Sequence, residues 1–149
     1  VGCGLLWHET PLAFVSVHLA AQPNAVKERN EDAAQIFNSL RLFSGLRTAD
    51  LEWSAHAHYA FLLGDVNYRV QLPYEEACSK ALEGDYASLL RADELRQEHA
   101  AGRFASRFVE AGEPDFMPTY RYELGSRTFS NKKNQSPSYT DRVLWLPRG

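Results

Sequence analysis

The amino-acid sequence predicts an α/β fold, and three features carry that prediction. Short apolar segments bounded by glycine or proline alternate with longer segments whose apolar residues recur every three or four positions, as strands and helices do. Their order, strand-helix-strand-helix-strand, is typical of a single α/β unit. The chain has 149 residues, of which 44% are hydrophobic and 12% aromatic. One domain with a substantial core is therefore expected.

Four strands are predicted. Residues 4–7 and 12–19 are apolar segments joined at His8-Glu9-Thr10-Pro11, which predicts a hairpin with Pro11 where a strand can begin. Residues 59–63 are short, aromatic-rich and followed by Gly64, which favours a buried strand. The segment "DRVLWLP", residues 141–147, predicts the final strand.

Three helices are predicted between these strands. Residues 24–43 have apolar side chains at helical spacing, with Asn24 as N-cap. Residues 73–84 run from a proline that can open a helix to a glycine that can close it, and residues 85–101 form a further helix. Residues 103–135 lack periodicity and predict a long, partly extended functional loop. The polar face of the first helix is Lys27, Glu28, Arg29, Glu31 and Asp32.

Composition restricts the classes of protein that fit. The net charge of −3 argues against binding nucleic acid by bulk charge. Two cysteines, Cys3 and Cys78, make no disulfide framework and favour a reducing, cytoplasmic setting. No apolar run is long enough to span a membrane, and the start, without Met, predicts that Val1 is not a natural N-terminus. Trp7, Trp53 and Trp145 are predicted core residues, and His8 and His99 surface residues.

Polar side chains follow three of the apolar strands, and in an open α/β sheet such strand ends form ligand sites. In "FLLGDVNYRV", residues 61–70, an extended backbone beyond Gly64 would place alternate polar residues on one side and Val66, Tyr68 and Val70 on the other. The residues at the three strand ends are His18, then Asp65, Asn67 and Arg69, then Asp141 and Arg142.

A carboxylate beside an amide suits phosphate-ester hydrolysis, because the carboxylate can take a proton from water while the amide donates to phosphoryl oxygens. A covalent mechanism is disfavoured, since the sequence has no G-x-S-x-G motif and neither cysteine lies in a basic, glycine-rich loop. His56 and His58 share a face of an extended segment, but no third metal ligand is spaced to join them.

The segment "TYRYELGSRTFSNKKNQSP", residues 119–137, places four cations among aromatic residues. Two interpretations stay open at this point: a loop that binds a polyanion such as a phosphorylated sugar, or a solvated basic loop. The four cations are Arg121, Arg127, Lys132 and Lys133.

The motifs "FVSVHLAA", "FLLGDVNYRV", "FMPTYRY" and "SPSYTDRVLW", in this order, resemble those of the inositol polyphosphate 5-phosphatases, within the DNase I-like endonuclease/exonuclease/phosphatase superfamily. The resemblance implies part of a four-layer α/β/β/α sandwich, with mixed, mostly antiparallel sheets and outer helices. It also implies Mg²⁺-assisted hydrolysis of the 5-phosphate of a phosphoinositide lipid or a soluble inositol polyphosphate by in-line attack of an activated water.

The resemblance assigns roles position by position. Asp65 matches the acid that activates water, Asn67 the amide that contacts the scissile phosphate, and His18 a histidine near that phosphate. Asp141 matches the aspartate that orients a histidine further along the chain. The implied substrate-binding residues are Arg69, which is near substrate or supports Asp65, and Tyr120, Arg121 and Lys133, which grip the 4-phosphate of the ring. Gln135 replaces a frequent basic residue, and Thr140 a frequent cysteine.

The resemblance also implies that residues 1–149 are the C-terminal portion of a catalytic domain. No acid here matches the family's metal-binding glutamate, which is expected upstream of Val1, and the terminal Ser-Asp-His segment is absent. These residues alone are therefore expected to be inactive. The alternatives are a catalytically silent phosphoinositide-binding or scaffold fragment and another DNase I-like phosphodiesterase. Expected partners are the inositol substrate and a peripheral membrane surface, not nucleic acid.

Overall fold

The computed structural model of the protein describes residues 1–43, 52–132 and 135–147. Within these ranges the chain forms five strands and four helices. The strands are β1 (Gly2–Trp7), β2 (Thr10–His18), β3 (Tyr59–Asp65), β4 (Val109–Glu110) and β5 (Asp141–Trp145). The helices are α1 (Val26–Ser39), α2 (Tyr74–Glu83), α3 (Tyr86–Arg91) and α4 (Glu94–Ala100).

The five strands form one mixed sheet in the order β1-β2-β3-β5-β4. Only β2 and β3 are parallel, and the other three pairings are antiparallel. This confirms the predicted α/β class and the mostly antiparallel sheet. The predicted hairpin is the β1–β2 pair, and only the two-residue strand β4, inside the predicted long loop, was not expected from the sequence.

One face of the sheet is covered by helices. Its central residues are Val15, Leu62 and Leu144, which lie side by side on three neighbouring strands and are each no more than 2% exposed. Side chains from α1, α4 and the segment that follows α4 pack against them. Trp53 is completely buried in this core, as predicted.

The opposite face carries apolar rows that the described residues leave partly exposed. Residues paired across β2, β3 and β5 point to the same side of the sheet. One row is Phe14, Phe61 and Trp145, and the next is Ser16, Leu63 and Val143. Trp7, on β1, is 65% exposed, so its predicted place in the core is wrong for the described residues. We call this surface the open face.

Three features of the helices differ from the predictions. Helix α1 ends at Ser39, before the predicted end at residue 43, because the backbone is extended at Leu40. Helix α1 begins at Val26, and Ala25, not Asn24, is at the N-cap without any side-chain cap. The predicted single helix over residues 85–101 is divided into α3 and α4. It breaks because the Asp93 carboxylate accepts a hydrogen bond from the backbone N–H of Arg96 and so caps α4, while also pairing with the buried guanidinium of Arg142.

Candidate active site

Three predicted catalytic residues lie in one row at the end of the open face. In the strand register, Asp65 on β3 is paired with His18 on β2 and with Asp141 on β5. The His18 Nε2 atom is 3.8 Å from Asp65 Oδ2. The sheet therefore brings together an imidazole and two carboxylates that are far apart in the sequence.

The environment of Asp65 makes its carboxylate a stronger base. Burial raises the pKa of Asp65, and the negative charge of Asp141 raises it further. The backbone N–H of Asn67 and the charges of His18 and Arg69 act in the opposite direction and are smaller influences. A carboxylate with a raised pKa takes a proton from water more readily, as a general base must.

The backbone turns sharply after Asp65, so the predicted extended conformation beyond Gly64 is wrong. Strand β3 ends at Asp65, and Asn67 has a left-handed φ of 57°. The Asp65 carboxylate accepts the backbone N–H of Asn67 at 3.0 Å, as in an Asx turn, and asparagine tolerates a left-handed backbone better than most residues. A hydrogen bond, and not strand alternation, therefore sets the position of Asn67 relative to the Asp65 carboxylate.

Asn67 and Arg69 are buried behind this turn. Asn67 is 3% and Arg69 is 7% exposed. The Asn67 side-chain nitrogen donates to the carbonyl of Leu19 at 3.0 Å, while its carbonyl oxygen accepts from Arg69 Nη2 at 2.7 Å. The guanidinium of Arg69 also lies 4.3 Å from the centre of the Tyr120 ring. Arg69 thus holds the Asn67 amide in one orientation, which leaves the second hydrogen of its nitrogen for another acceptor.

Tyr120 connects Arg69 to the basic loop. Its hydroxyl donates to the side-chain oxygen of Gln135 at 2.8 Å, a contact that a lysine or arginine could not accept. Arg121 is half-buried, and its guanidinium makes no hydrogen bond or ion pair with the part of the chain that the structure describes. Lys133 lies outside the described residues. Beside this cluster, a cavity of about 400 Å³ is lined by Arg69 and Gln135, among others.

Buried charges behind the site were not expected from the sequence. Arg29, assigned above to the polar face of the first helix, is 0% exposed, so that assignment is wrong. It bonds to Glu94 at 2.9 Å. The signal was available: position 29 falls on the apolar stripe of α1, three residues after Val26 and four before Ala33, and a charge at such a position indicates a buried partner.

Residues 1–43, 52–132 and 135–147 contain no group of three His, Cys, Asp or Glu side chains placed to bind a metal ion. Within the same ranges, no helix combines the length and apolar character needed to cross a lipid bilayer.

The mixed sheet, with carboxylate and amide side chains at its strand ends, has the arrangement of the DNase I-like fold. The sequence model of the family "Endonuclease/Exonuclease/phosphatase family 2" matches residues 1–149. The chain belongs to this family.

Two of the curated relatives described below are named as 5-phosphatases. Synaptojanin-1 of Rattus norvegicus is 38% identical over 149 residues, covering 99% of this chain and 9% of the relative. The type I inositol polyphosphate 5-phosphatase 5 of Arabidopsis thaliana is 35% identical over 157 residues, covering 95% and 29%. The phosphatidylinositol 4,5-bisphosphate 5-phosphatase INP51 of Saccharomyces cerevisiae is 36% identical over 146 residues, covering 97% and 15%. The chain therefore spans well under half the length of these relatives.

Solved structures agree with the predicted fold. The inositol polyphosphate 5-phosphatase domain of SPsynaptojanin, crystallised with inositol (1,4)-bisphosphate and a calcium ion, matches with a TM-score of 0.86 and 29% identity over 97% of this chain and 41% of that chain. A Cimex nitrophorin matches with a TM-score of 0.70 but 17% identity, over 95% of this chain and 45% of that one. The second match shows the fold alone, so function has to be argued from the site.

Proposed function

We propose that the protein containing this chain hydrolyses the 5-phosphate of phosphoinositides or inositol polyphosphates. The observation that carries the proposal is the row of His18, Asp65 and Asp141 in adjacent strands, with Asn67 held beside it. The named 5-phosphatases among the relatives supply the substrate class.

In the proposed mechanism, ionised Asp65 accepts a proton from a water whose oxygen attacks the phosphorus in line with the departing ester oxygen. The free N–H of the Asn67 amide donates to a phosphoryl oxygen, where negative charge grows in the transition state. His18, with its ring close to Asp65, contacts the phosphate region. Asp141 orients a histidine supplied from elsewhere in the protein, which protonates the leaving oxygen.

We propose Mg²⁺ as the ion that the whole protein requires. The described residues do not fit a complete metal site, because they contain no group of three ligands, and no step above depends on an ion bound by them. A bound Mg²⁺ would neutralise charge on the phosphoryl group. The related SPsynaptojanin structure holds calcium, so assays of metal-stripped protein with each ion decide between the two.

We propose that residues 1–149 are part of one catalytic domain. The open face supports this, since monomeric proteins rarely expose a contiguous apolar surface of this kind. In a four-layer sandwich, a second sheet supplied by the rest of the domain would cover the rows that contain Phe61 and Leu63. By itself the chain is then expected to be inactive.

The proposed setting is the cytoplasm, with the protein peripheral on membranes when it acts on lipid. Both a lipid and a soluble inositol phosphate present the same phosphorylated ring. Nucleic acid is disfavoured as a substrate because the net charge is −3 and a nuclease needs an extended phosphate-binding surface.

We further propose that Arg121 and Lys133 bind the 4-phosphate of the ring. A charge-assisted hydrogen bond contributes about 1.5–3 kcal/mol, so Arg121→Ala should lower kcat/KM about ten- to a hundredfold for a 4,5-bisphosphorylated substrate. A substrate with the 5-phosphate but no 4-phosphate should be much less affected. The matched control is Arg127→Ala, which is expected to spare both substrates. Equal losses of Arg121→Ala on both substrates would remove the 4-phosphate assignment.

The function itself is tested on the whole protein with inositol 1,4,5-trisphosphate. We expect release of inorganic phosphate with inositol 1,4-bisphosphate as the product, and a fall in kcat of at least about a hundredfold in Asp65→Asn. Binding of the substrate without turnover would overturn the proposal in favour of a silent phosphoinositide-binding module. Cleavage of a phosphodiester would favour another phosphodiesterase of the superfamily.

A further inference from the structure

Five consecutive backbone carbonyls, those of residues 19–23, accept hydrogen bonds from only three side chains. This segment directly follows His18, and we call it the first loop. Asn67 Nδ2 donates to residue 19 and Arg69 Nη2 to residue 21. Arg29 Nη1 donates to residue 20 at 3.2 Å and residue 22 at 2.7 Å, and Arg29 Nη2 donates to residue 23 at 3.2 Å. Two guanidinium groups and one amide therefore fix the direction of the peptides in the loop.

Glu94, the first residue of α4, connects Arg29 to the segment that follows Asp65. We call residues 66–71 the second loop. The Glu94 Oε2 atom accepts from Arg29 Nη2 at 2.9 Å and from the backbone N–H of Arg69 at 2.9 Å. Its Oε1 atom accepts from the Gln71 side chain at 2.5 Å. One carboxylate thus binds the arginine that holds the first loop and the backbone of the second loop.

We propose that Arg29 and Glu94 are positioning residues of the phosphatase reaction, which hold the first and second loops in one fixed relation. Neither side chain belongs to the row of His18, Asp65 and Asp141. Their effect passes through Asn67, whose amide donates to the first loop while it is itself part of the second. The kinetic part of this inference rests on the proposed function.

The contacts explain why both partners are charged and buried. Arg29 is 0% exposed, and Glu94 is 7% exposed. A planar guanidinium can serve several carbonyls and a carboxylate at once, which the smaller ammonium of lysine cannot do. A buried ion pair is weak evidence for stability. We infer instead that this pair fixes the relative position of the two loops. A misplacement of about 1 Å near a reacting group can cost a hundredfold in rate.

The first test is amide hydrogen exchange in the whole protein, which does not depend on activity. The Arg29 side chain hydrogen-bonds to the first loop and to Glu94, and its guanidinium also lies 5.0 Å from the centre of the Tyr68 ring in the second loop, a contact that the cation of a lysine can keep. If Glu94 transmits its effect, Arg29→Lys should speed exchange at least about tenfold in the second loop as well, including the N–H of Arg69. The control is Phe108→Leu, a core substitution whose ring contacts are with Phe37 and Trp53, chosen at a matched loss of melting temperature. Exchange that rises only in the first loop, or equally in the control, would overturn the proposal.

The second test is kinetic. Arg29→Lys and Glu94→Gln should each lower kcat about ten- to a hundredfold, with KM within about threefold of the wild-type value, since the substrate contacts are elsewhere. Phe108→Leu should keep kcat within about twofold. A rise in KM at unchanged kcat, or an equal loss of kcat in Phe108→Leu, would overturn the positioning role. An inactive wild-type protein would instead defeat the proposed function, and the exchange experiment would still decide whether the two loops are coupled.

Discussion

At the scale of single residues, Asp65 lies next to a second carboxylate, and this sets the pH at which it ionises. Burial and the charge of Asp141 both raise the pKa of Asp65. Activity that needs the ionised base is therefore lost as the pH falls through this raised pKa. Asp141→Asn removes one of the two causes, so the acid limb of the normalised kcat/KM profile should move to lower pH, even though the maximal rate falls.

The same shift has a consequence for stability. Because the folded pKa of Asp65 is above its unfolded value, its ionisation disfavours the fold as the pH rises through the folded pKa. Asp65→Asn should accordingly be at least as stable as the wild type at neutral pH.

An acid limb of the kcat/KM profile that does not move in Asp141→Asn would mean that another group titrates.

A different expectation applies to Asn67. Its buried amide bonds to Leu19 and Arg69, so Asn67→Ala leaves a carbonyl and a guanidinium short of partners and should lower the free energy of unfolding by about 1–3 kcal/mol. Asn38→Ala, at an exposed position of α1, is the matched control and should change it by less than about 0.5 kcal/mol. Urea denaturation of both variants gives the comparison, and an unchanged Asn67→Ala would contradict the hydrogen bonding described here.

At the scale of the elements, β2 leaves no room for a side chain on β3 at Gly64. It has a φ of 117°, and a Cβ atom there would clash with the carbonyl oxygen of Val17. Gly64→Ala should therefore lower the free energy of unfolding by about 3–5 kcal/mol, from strain and overpacking together. Gly84→Ala, also at positive φ but with open space around it, should cost only about 1–2 kcal/mol. Equal losses in denaturant titrations would show that close strand approach is not the reason for Gly64.

The elements that could be predicted from the sequence are those with local signals. The alternation in β2, the apolar run of β3 and the glycine that ends α2 are each visible within a few residues. The Asp93 cap that divides α3 from α4 is local as well, but its pairing with the buried Arg142, 49 positions away, is not.

Some features of the candidate site could likewise be predicted from local sequence signals, and others could not. Motifs identified His18, Asp65 and Asp141, but strand alternation could not reveal the turn at Asn67, which arises from a hydrogen bond to Asp65. Nor could it reveal that Arg69 is buried, because this depends on stacking against Tyr120 in a distant loop.

At the scale of the whole molecule, the open face determines how the 149-residue chain behaves alone. Its apolar rows should cause concentration-dependent self-association. Introducing charges by Leu63→Lys together with Val143→Lys should shift the chain toward monomer, whereas Leu82→Lys, an exposed position on α2, should not. Sedimentation at several concentrations measures the effect. A wild-type chain that stays monomeric with a sharp thermal transition would contradict it.

Because His18, Asp65 and Asp141 are paired across neighbouring strands, the hydrogen-bond register of the sheet determines whether these three side chains lie next to one another. A slip of β5 by one residue along β3 would move Asp141 by roughly 3.3 Å and turn its side chain to the helix-covered side. The connections between these strands can therefore gain or lose residues over evolution without disturbing the chemistry, provided that the strands keep the same pairing register. An insertion inside β2, β3 or β5, however conservative in composition, would change this register and separate the three side chains.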